Sequence, residues 1–303
     1  MKFFTTSLIY LFSIAFIVLS GFSCAYATTE AETLKINYPH YEAKVPVSFF
    51  SDNAMVMFYG PEDGVTLNMV IQPEAERNLE QYTAFSKEQI KGLPDFKVEK
   101  EGFETFNGVK FASAVNNFKR EGMSLKSKGV WTVFNKKAYV MTYTAPGESF
   151  EKYLKTAEAI FASLKLAPLS IDMPADFIPA NSLIMGFGES TLEEFRINFN
   201  IIVKPEAGKT LEEFTDFSKK EAVKIPGFTI VKEGYETYGG VKFFSVIHKF
   251  SQSNGQKDVS LKARSIWTIA NKKVYIITYT ATEGSFEKYA GDIESLCKTF
   301  SLK

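Results

Sequence analysis

The chain holds two cysteines, two histidines and two tryptophans in 303 residues. Cys24 sits in an apolar leader, which leaves Cys297 as the lone thiol of the remainder. No internal disulfide can form there, and no Cys/His metal set can be assembled. His40 and His248 have no further ligands at metal-binding spacing. Phosphate loops, dinucleotide fingerprints and nucleophile elbows are all missing. No catalytic, cofactor-binding or metal residue is therefore assigned, and the chain is read as no enzyme. A charge of one sign is lacking too: 35 basic residues face 35 acidic ones, which argues against nucleic acid as the partner. Beyond the leader no apolar run approaches the roughly 20 residues of a membrane span.

What is present begins with that leader. Met1-Lys2 supplies one positive charge, Phe3 to Phe22 is apolar or small, and "CAYA" closes the segment with Ala25 and Ala27. This is the order of a secretory signal, and cleavage is expected after Ala27. The mature chain is then periplasmic or secreted. Two other fates compete: an uncleaved apolar anchor, and a lipoprotein held at Cys24. "GFSC" fits the second poorly, because Leu is missing three residues upstream and bulky Phe22 precedes Ser23.

The rest of the chain is written twice. "EGFETFNGVKF" (101–111) returns as "EGYETYGGVKF" (233–243). On its N-terminal side Pro73 matches Pro205, Leu79 matches Leu211 and Phe85 matches Phe217. On its C-terminal side Trp131 matches Trp267, Asn135 matches Asn271, Tyr143 matches Tyr279 and Phe150 matches Phe286. The second copy is longer around "SQSNGQKD". The spacing is that of whole domains rather than a solenoid, which predicts residues 28–167 and 168–303 as tandem domains joined closely through "LAPLS".

Each copy mixes helical and strand periods. Leu79, Tyr82, Phe85 and Ile90 share one side of a helix, with Asn78 as cap and Gln81 three residues on; Thr210 and Glu213 repeat this capping-box spacing. A last helix from Phe150 to Leu164 lines up Phe150, Tyr153, Leu154, Ala157, Ile160 and Phe161. Its twin carries Phe286, Tyr289, Ala290, Ile293, Leu296 and Cys297. Between the helices, "NG" at 107–108 and "GG" at 239–240 predict two-residue hairpins, and "GVWTVFNKKAYVMTYT" reads as two strands turning at Asn135-Lys136-Lys137. "GFGES" (186–190) is read as a turn between strands. The fold class is α+β: two tandem domains, each an antiparallel sheet covered by helices.

The twin motif is therefore scaffold. Glu101 and Glu104, like Glu233 and Glu236, are three apart in a strand, so they point to opposite faces and cannot act as a close carboxylate pair. His248 corresponds to Asn116, and Cys297 to the core position Phe161. The candidate surface is basic: Lys126 and Lys128, and Lys262 with Arg264, alternate on strands and so share a face. They serve either as a solvated sheet edge that discourages strand addition or as a surface steering an acidic partner or anionic ligand.

Each copy resembles the PsbP-like domains of the Mog1/PsbP superfamily, in particular the DcrB-related group. The likeness rests on the order of "INYP"/"IDMP", "IQPEAERNLEQYTAF"/"VKPEAGKTLEEFTDF", "GFETFNGVKF"/"GYETYGGVKF", a "VYIITYTA"-type strand and a helix opening "SFEKY". It implies an α/β/α sandwich around an antiparallel sheet, exported and acting through binding rather than catalysis. The expected partner is an envelope protein or assembly. A small ligand held between the two domains is the alternative, and an enzyme using carboxylates or tyrosines of that cleft is the third reading.

Overall fold

Asn107-Gly108 and Gly239-Gly240 turn the backbone with φ positive at both residues, 48° and 80° in the first repeat and 55° and 79° in the second. This is the two-residue turn whose twist matches its flanking strands. Asn135-Lys136 and Asn271-Lys272 make the same kind of turn (49° and 59°, 51° and 57°), so register is set identically in both halves. The structure, a computed structural model, describes residues 33–46, 54–74, 76–91, 93–174, 177, 182–190, 195–206, 208–253 and 258–303. The leader, with Cys24 and Ala27, lies outside them.

The first half runs β1 (Thr33–Asn37), β2 (Tyr41–Pro46), β3 (Ala54–Tyr59), β4 (Thr66–Pro73), α1 (Leu79–Ile90), β5 (Lys97–Phe106), β6 (Val109–Arg120), β7 (Met123–Phe134), β8 (Lys137–Pro146), α2 (Gly147–Ser163) and β9 (Lys165–Leu166). The second runs β10 (Leu169–Asp172), β11 (Ser182–Ser190), β12 (Arg196–Pro205), α3 (Leu211–Ala222), β13 (Thr229–Tyr238), β14 (Val241–Ser253), β15 (Asp258–Ala270) and β16 (Lys273–Thr282). A 3-10 turn (Phe286–Tyr289), α4 (Ala290–Thr299) and β17 (Ser301–Leu302) complete it. The expected capping boxes form at Asn78 with Gln81 and at Thr210 with Glu213. α4 starts later than α2, after the 3-10 turn; Gly284 and Gly291 stand where α2 has Glu148 and Lys155, and glycine weakens a helix interior by about 1 kcal/mol.

Twelve strands form one antiparallel sheet in the order β13-β14-β15-β16-β12-β11-β3-β4-β8-β7-β6-β5. Each repeat contributes six, and the seam is the pairing of β3 with β11. Phe58 faces Ile184, Met57 faces Met185 and Val56 faces Gly186, a locally two-fold arrangement about the methionine pair. "GFGES" is thus strand rather than turn. Gly186 is required there because a Cβ would run into the Phe199 ring. The class is α+β, mostly antiparallel, with four helices among the described residues.

A second, five-stranded sheet (β17-β2-β1-β10-β9) interlaces the ends of both repeats. The twin segments "INYP" and "IDMP" lie side by side in it: Ile36 pairs with Ile171 and Asn37 with Asp172 in parallel, and Asn37 Nδ2 donates to Asp172 Oδ1 at 2.6 Å. α2 of the first repeat packs on β10 of the second, while α4 of the second packs on β2 of the first. One contiguous core follows, running through Phe58, Tyr143, Phe161, Phe199, Tyr279 and Leu296, all fully or nearly fully buried. On the opposite face of the large sheet, α1 and α3 each cover a smaller cluster around Trp131 and Trp267. Each indole Nε1 donates to a helix threonine, Thr83 at 2.9 Å and Thr215 at 3.0 Å.

Candidate binding surface

The alternation on β7 and β15 does place Lys126 with Lys128, and Lys262 with Arg264, on one face each, the face carrying α2 or α4. Every one of these cations meets carboxylates of its own chain. Lys126 lies 3.0 Å from Glu99 and 3.3 Å from Glu151. Lys128, with its side chain 10% exposed, lies 2.9 Å from Glu104 and 2.7 Å from Glu158. Lys262 lies 2.8 Å from Glu287. Arg264 donates to Glu294 at 2.7 Å, to Glu236 at 2.6 Å and to the Tyr238 hydroxyl at 2.8 Å. Each repeat thus holds a cation clamped between a strand carboxylate and a helix carboxylate.

The electrostatics follow from the geometry. Burial alone would lower Lys128, but Glu158 and Glu104 raise it above the ordinary lysine value. Burial alone would raise Glu236; Tyr238, Arg264 and Ser245 together hold it below the usual carboxylate range. Burial and the Glu236 carboxylate push Tyr238 up. Lys128, Arg264 and Glu236 stay charged through the neutral range, and the charge of the clamp is largely satisfied internally. Glu101 and Glu233 point the other way, to Lys87 and Lys219 on α1 and α3, both at 2.7 Å.

The clamp carboxylates on the helices escaped the sequence reading. Their signal was available: Glu151 and Glu158, like Glu287 and Glu294, are seven residues apart and so share a helical face, at matching positions in both copies. Around the second clamp the surface is hollowed. One hollow of about 420 Å³ is lined by Lys232, Gly234, Glu236, Ser245, Arg264 and Glu294 among others. Another of about 490 Å³, beside Tyr238 and Lys298, shares Glu236 and Glu294 with it. Both lie on the flank of the second repeat rather than at the seam.

The ends of the large sheet expose apolar side chains at twin positions: Leu93, Val98 and Phe103 beside β5, and Ile225, Ile230 and Tyr235 beside β13. Phe103 is 57% exposed and Tyr235 48%. A lysine stands over each ring, Lys110 at 4.0 Å and Lys242 at 3.9 Å, an arrangement worth about 0.5–1 kcal/mol at an exposed site.

The remaining candidate groups are built into the scaffold. His248 lies between the rings of Phe228 and Phe250, and burial lowers its pKa. His40 stands at the turn between β1 and β2, where its carbonyl accepts from the Lys303 amide. Cys297 is buried, and burial pushes its thiol up to about 12. Thiol-specific alkylation of Cys297 is expected to proceed at the rate of unfolding, with protection in the native protein. Rapid labelling under native conditions would contradict this placement, and mass spectrometry of the alkylated protein reads it directly.

Among the described residues no helix is long and apolar enough to cross a membrane. No family model matches the chain, and no curated protein matches it. Solved structures do. A protein of unknown function from Pseudomonas aeruginosa, PA94, described as a putative regulator, is 17% identical over 41% of this chain and 90% of its own, with a TM-score of 0.34. The immunity protein TplEi of the T6SS from the same organism is 10% identical over 89% of this chain and 97% of its own (TM-score 0.41). LpqN of Mycobacterium tuberculosis, involved in cell envelope biogenesis, is 9% identical over 75% and 98% (TM-score 0.27). Likeness at this level assigns no role to the chain.

Proposed function

We propose that this chain is an exported, non-catalytic binding or accessory protein of the cell envelope, built from two PsbP-like, DcrB-related repeats of α/β/α sandwich form. It acts through protein–protein contacts. The observation that carries the reading is the exposure of large apolar residues at both ends of the sheet, on the same structural corner in each repeat. Aromatic residues are enriched in protein interfaces. The burial of Cys297 and the partial burial of His248 also count against nucleophilic or acid–base roles for the two groups best suited to them.

The basic strips are a weaker choice of contact surface than the sequence pattern suggested, because Lys126, Lys128, Lys262 and Arg264 are each closed by carboxylates of the chain. Reversing them to Glu would set like charges together and disturb the fold before it tested a partner.

The test is native mass spectrometry of the protein purified gently from its own envelope. A second polypeptide at fixed stoichiometry is the expected result. A small added mass would replace this reading with a ligand receptor, and a bare mass across mild conditions would overturn it. The same spectrum reports whether the chain begins at Thr28 or carries lipid at Cys24.

A further inference from the structure

The two outermost strands descend from one segment yet differ in how they guard their open edge. β5, "KVEKEGFETF", carries Lys97, Glu99, Lys100, Glu101 and Glu104. β13, "TIVKEGYETY", carries Lys232, Glu233 and Glu236. Charges on an edge strand discourage the addition of a further strand, and β13 has two fewer. Where β5 places Glu99, bonded to Lys126 and Asn117, β13 exposes Val231, 52% accessible. Where α1 is followed by Lys91, α3 is followed by Val223, the most exposed large apolar residue described, at 67%.

Both edges bulge once, between Val98 and Lys100 and between Ile230 and Lys232. Past its bulge β13 pairs regularly with β14 through Tyr238. Its other edge has no strand partner among the described residues. Gly234 sits mid-way along that stretch with open space where a Cβ would be, at the hollow of about 420 Å³. The seam of β3 with β11 already joins the two repeats by adding edge to edge, so a strand added at β13 continues the same sheet.

We propose that β13, over Lys232–Tyr238, receives an extended segment of a partner protein as a further strand, one of whose side chains enters the hollow over Gly234. This rests on the binding-protein reading and names its surface. Main-chain hydrogen bonds supply the register, and pockets for alternate side chains supply selectivity. On the face carrying α3, apolar residues of the segment meet Tyr235. On the opposite face the entering side chain is polar, because the hollow presents both charges of the clamp. The clamp holds the two carboxylates of Glu236 and Glu294 against the single guanidinium of Arg264. Lys298, mostly exposed, approaches Glu294 at 3.6 Å, and Lys232 stands on the rim.

The experiment places a photoreactive benzoylphenylalanine in turn at Lys232, Tyr235 and Thr237 of the full chain expressed in its own cells. Capture of one partner through residues that advance in step along one segment is the expected ladder. Alongside it, Val231→Lys with Tyr235→Lys gives β13 the charge density of β5, and Val98→Lys serves as the control on β5. With far-UV spectra and melting points unchanged, the β13 variant is expected to lose the co-purifying partner at least about ten-fold and the control to keep it. Crosslinks scattered over the partner, or full retention by the β13 variant, would overturn strand addition while leaving a binding protein in place. A doubled mass with no other polypeptide would make the occupant a second copy of this chain and overturn the proposal. Wild-type protein that captures nothing would bring down the binding reading itself.

Discussion

Replacing Phe199 by Ala is expected to cost about 3–5 kcal/mol of unfolding free energy, and to cost it at both ends of the molecule. Phe199 is fully buried on β12, one strand from the seam. Its ring fills the space left by Gly186 on β11, which has no side chain to grow into the cavity. The two tryptophans make the effect separable, since Trp131 reports the first repeat and Trp267 the second. In single-tryptophan proteins made by Trp267→Phe or Trp131→Phe, denaturant curves followed by fluorescence should shift together when Phe199→Ala is added. The shared core predicts one transition. If the Trp131 curve stays put while the Trp267 curve moves, the repeats unfold as separate domains.

Arg264→Met carries the second large effect, a loss of about 2–3 kcal/mol near neutral pH. Removing one member of a partly buried charge cluster leaves the others uncompensated, and that is costlier than the cluster itself is stabilising. Glu236, Glu294 and Tyr238 each lose the hydrogen bond that Arg264 donates. Both carboxylates are about one-third exposed, so water offsets part of the loss and the value stays below that for a fully enclosed pair. Adding Glu236→Gln and Glu294→Gln to Arg264→Met should recover most of it, because the leftover charges are gone.

The pH dependence has a definite sign. Glu236 is held below its ordinary value of 4.5 in the folded protein. The stability it contributes is therefore complete above that value and lost as pH falls through the lower folded one. Wild type and Arg264→Met should differ most near neutrality and converge in acid. Urea midpoints measured across the acid range show this directly; a gap that widens on acidification would refute the clamp as described.

How much of this was legible in the sequence depends on the range of the interaction. Local chemistry was written out: Asn78 and Gln81 as a capping box, Asn107-Gly108 as a tight turn, the stripe from Phe150 to Phe161 as a buried helix face. Those features depend on residues a few positions apart, and they form as expected. The Glu101/Glu104 divergence followed from strand geometry alone and is seen in their bonds to Lys87 and Lys128. What pairs with what across the chain was not legible. The seam strands carry a short echo, "MFYG" at 57–60 and "MGFG" at 185–188, but at a spacing unlike the rest of the duplication, because four more residues separate it from Pro205 than from Pro73. The cations read as a face because alternation is visible in one strand, whereas the carboxylates opposing them come from helices and neighbouring strands.

The interlaced small sheet ties residues 301–303 to residues 38–42. β17 pairs with β2, the Lys303 amide donates to the His40 carbonyl at 3.0 Å, and Lys303 Nζ reaches the Tyr38 carbonyl at 2.9 Å. A chain that emerges N-terminus first must hold β2 without its outer neighbour until residue 303 has appeared. Contacts this distant in sequence are slow to form, and an unpaired strand waiting for its neighbour is an aggregation hazard. Until residues 301–302 are made, Tyr41 and Glu42 at the outer edge of β2 stay unpaired.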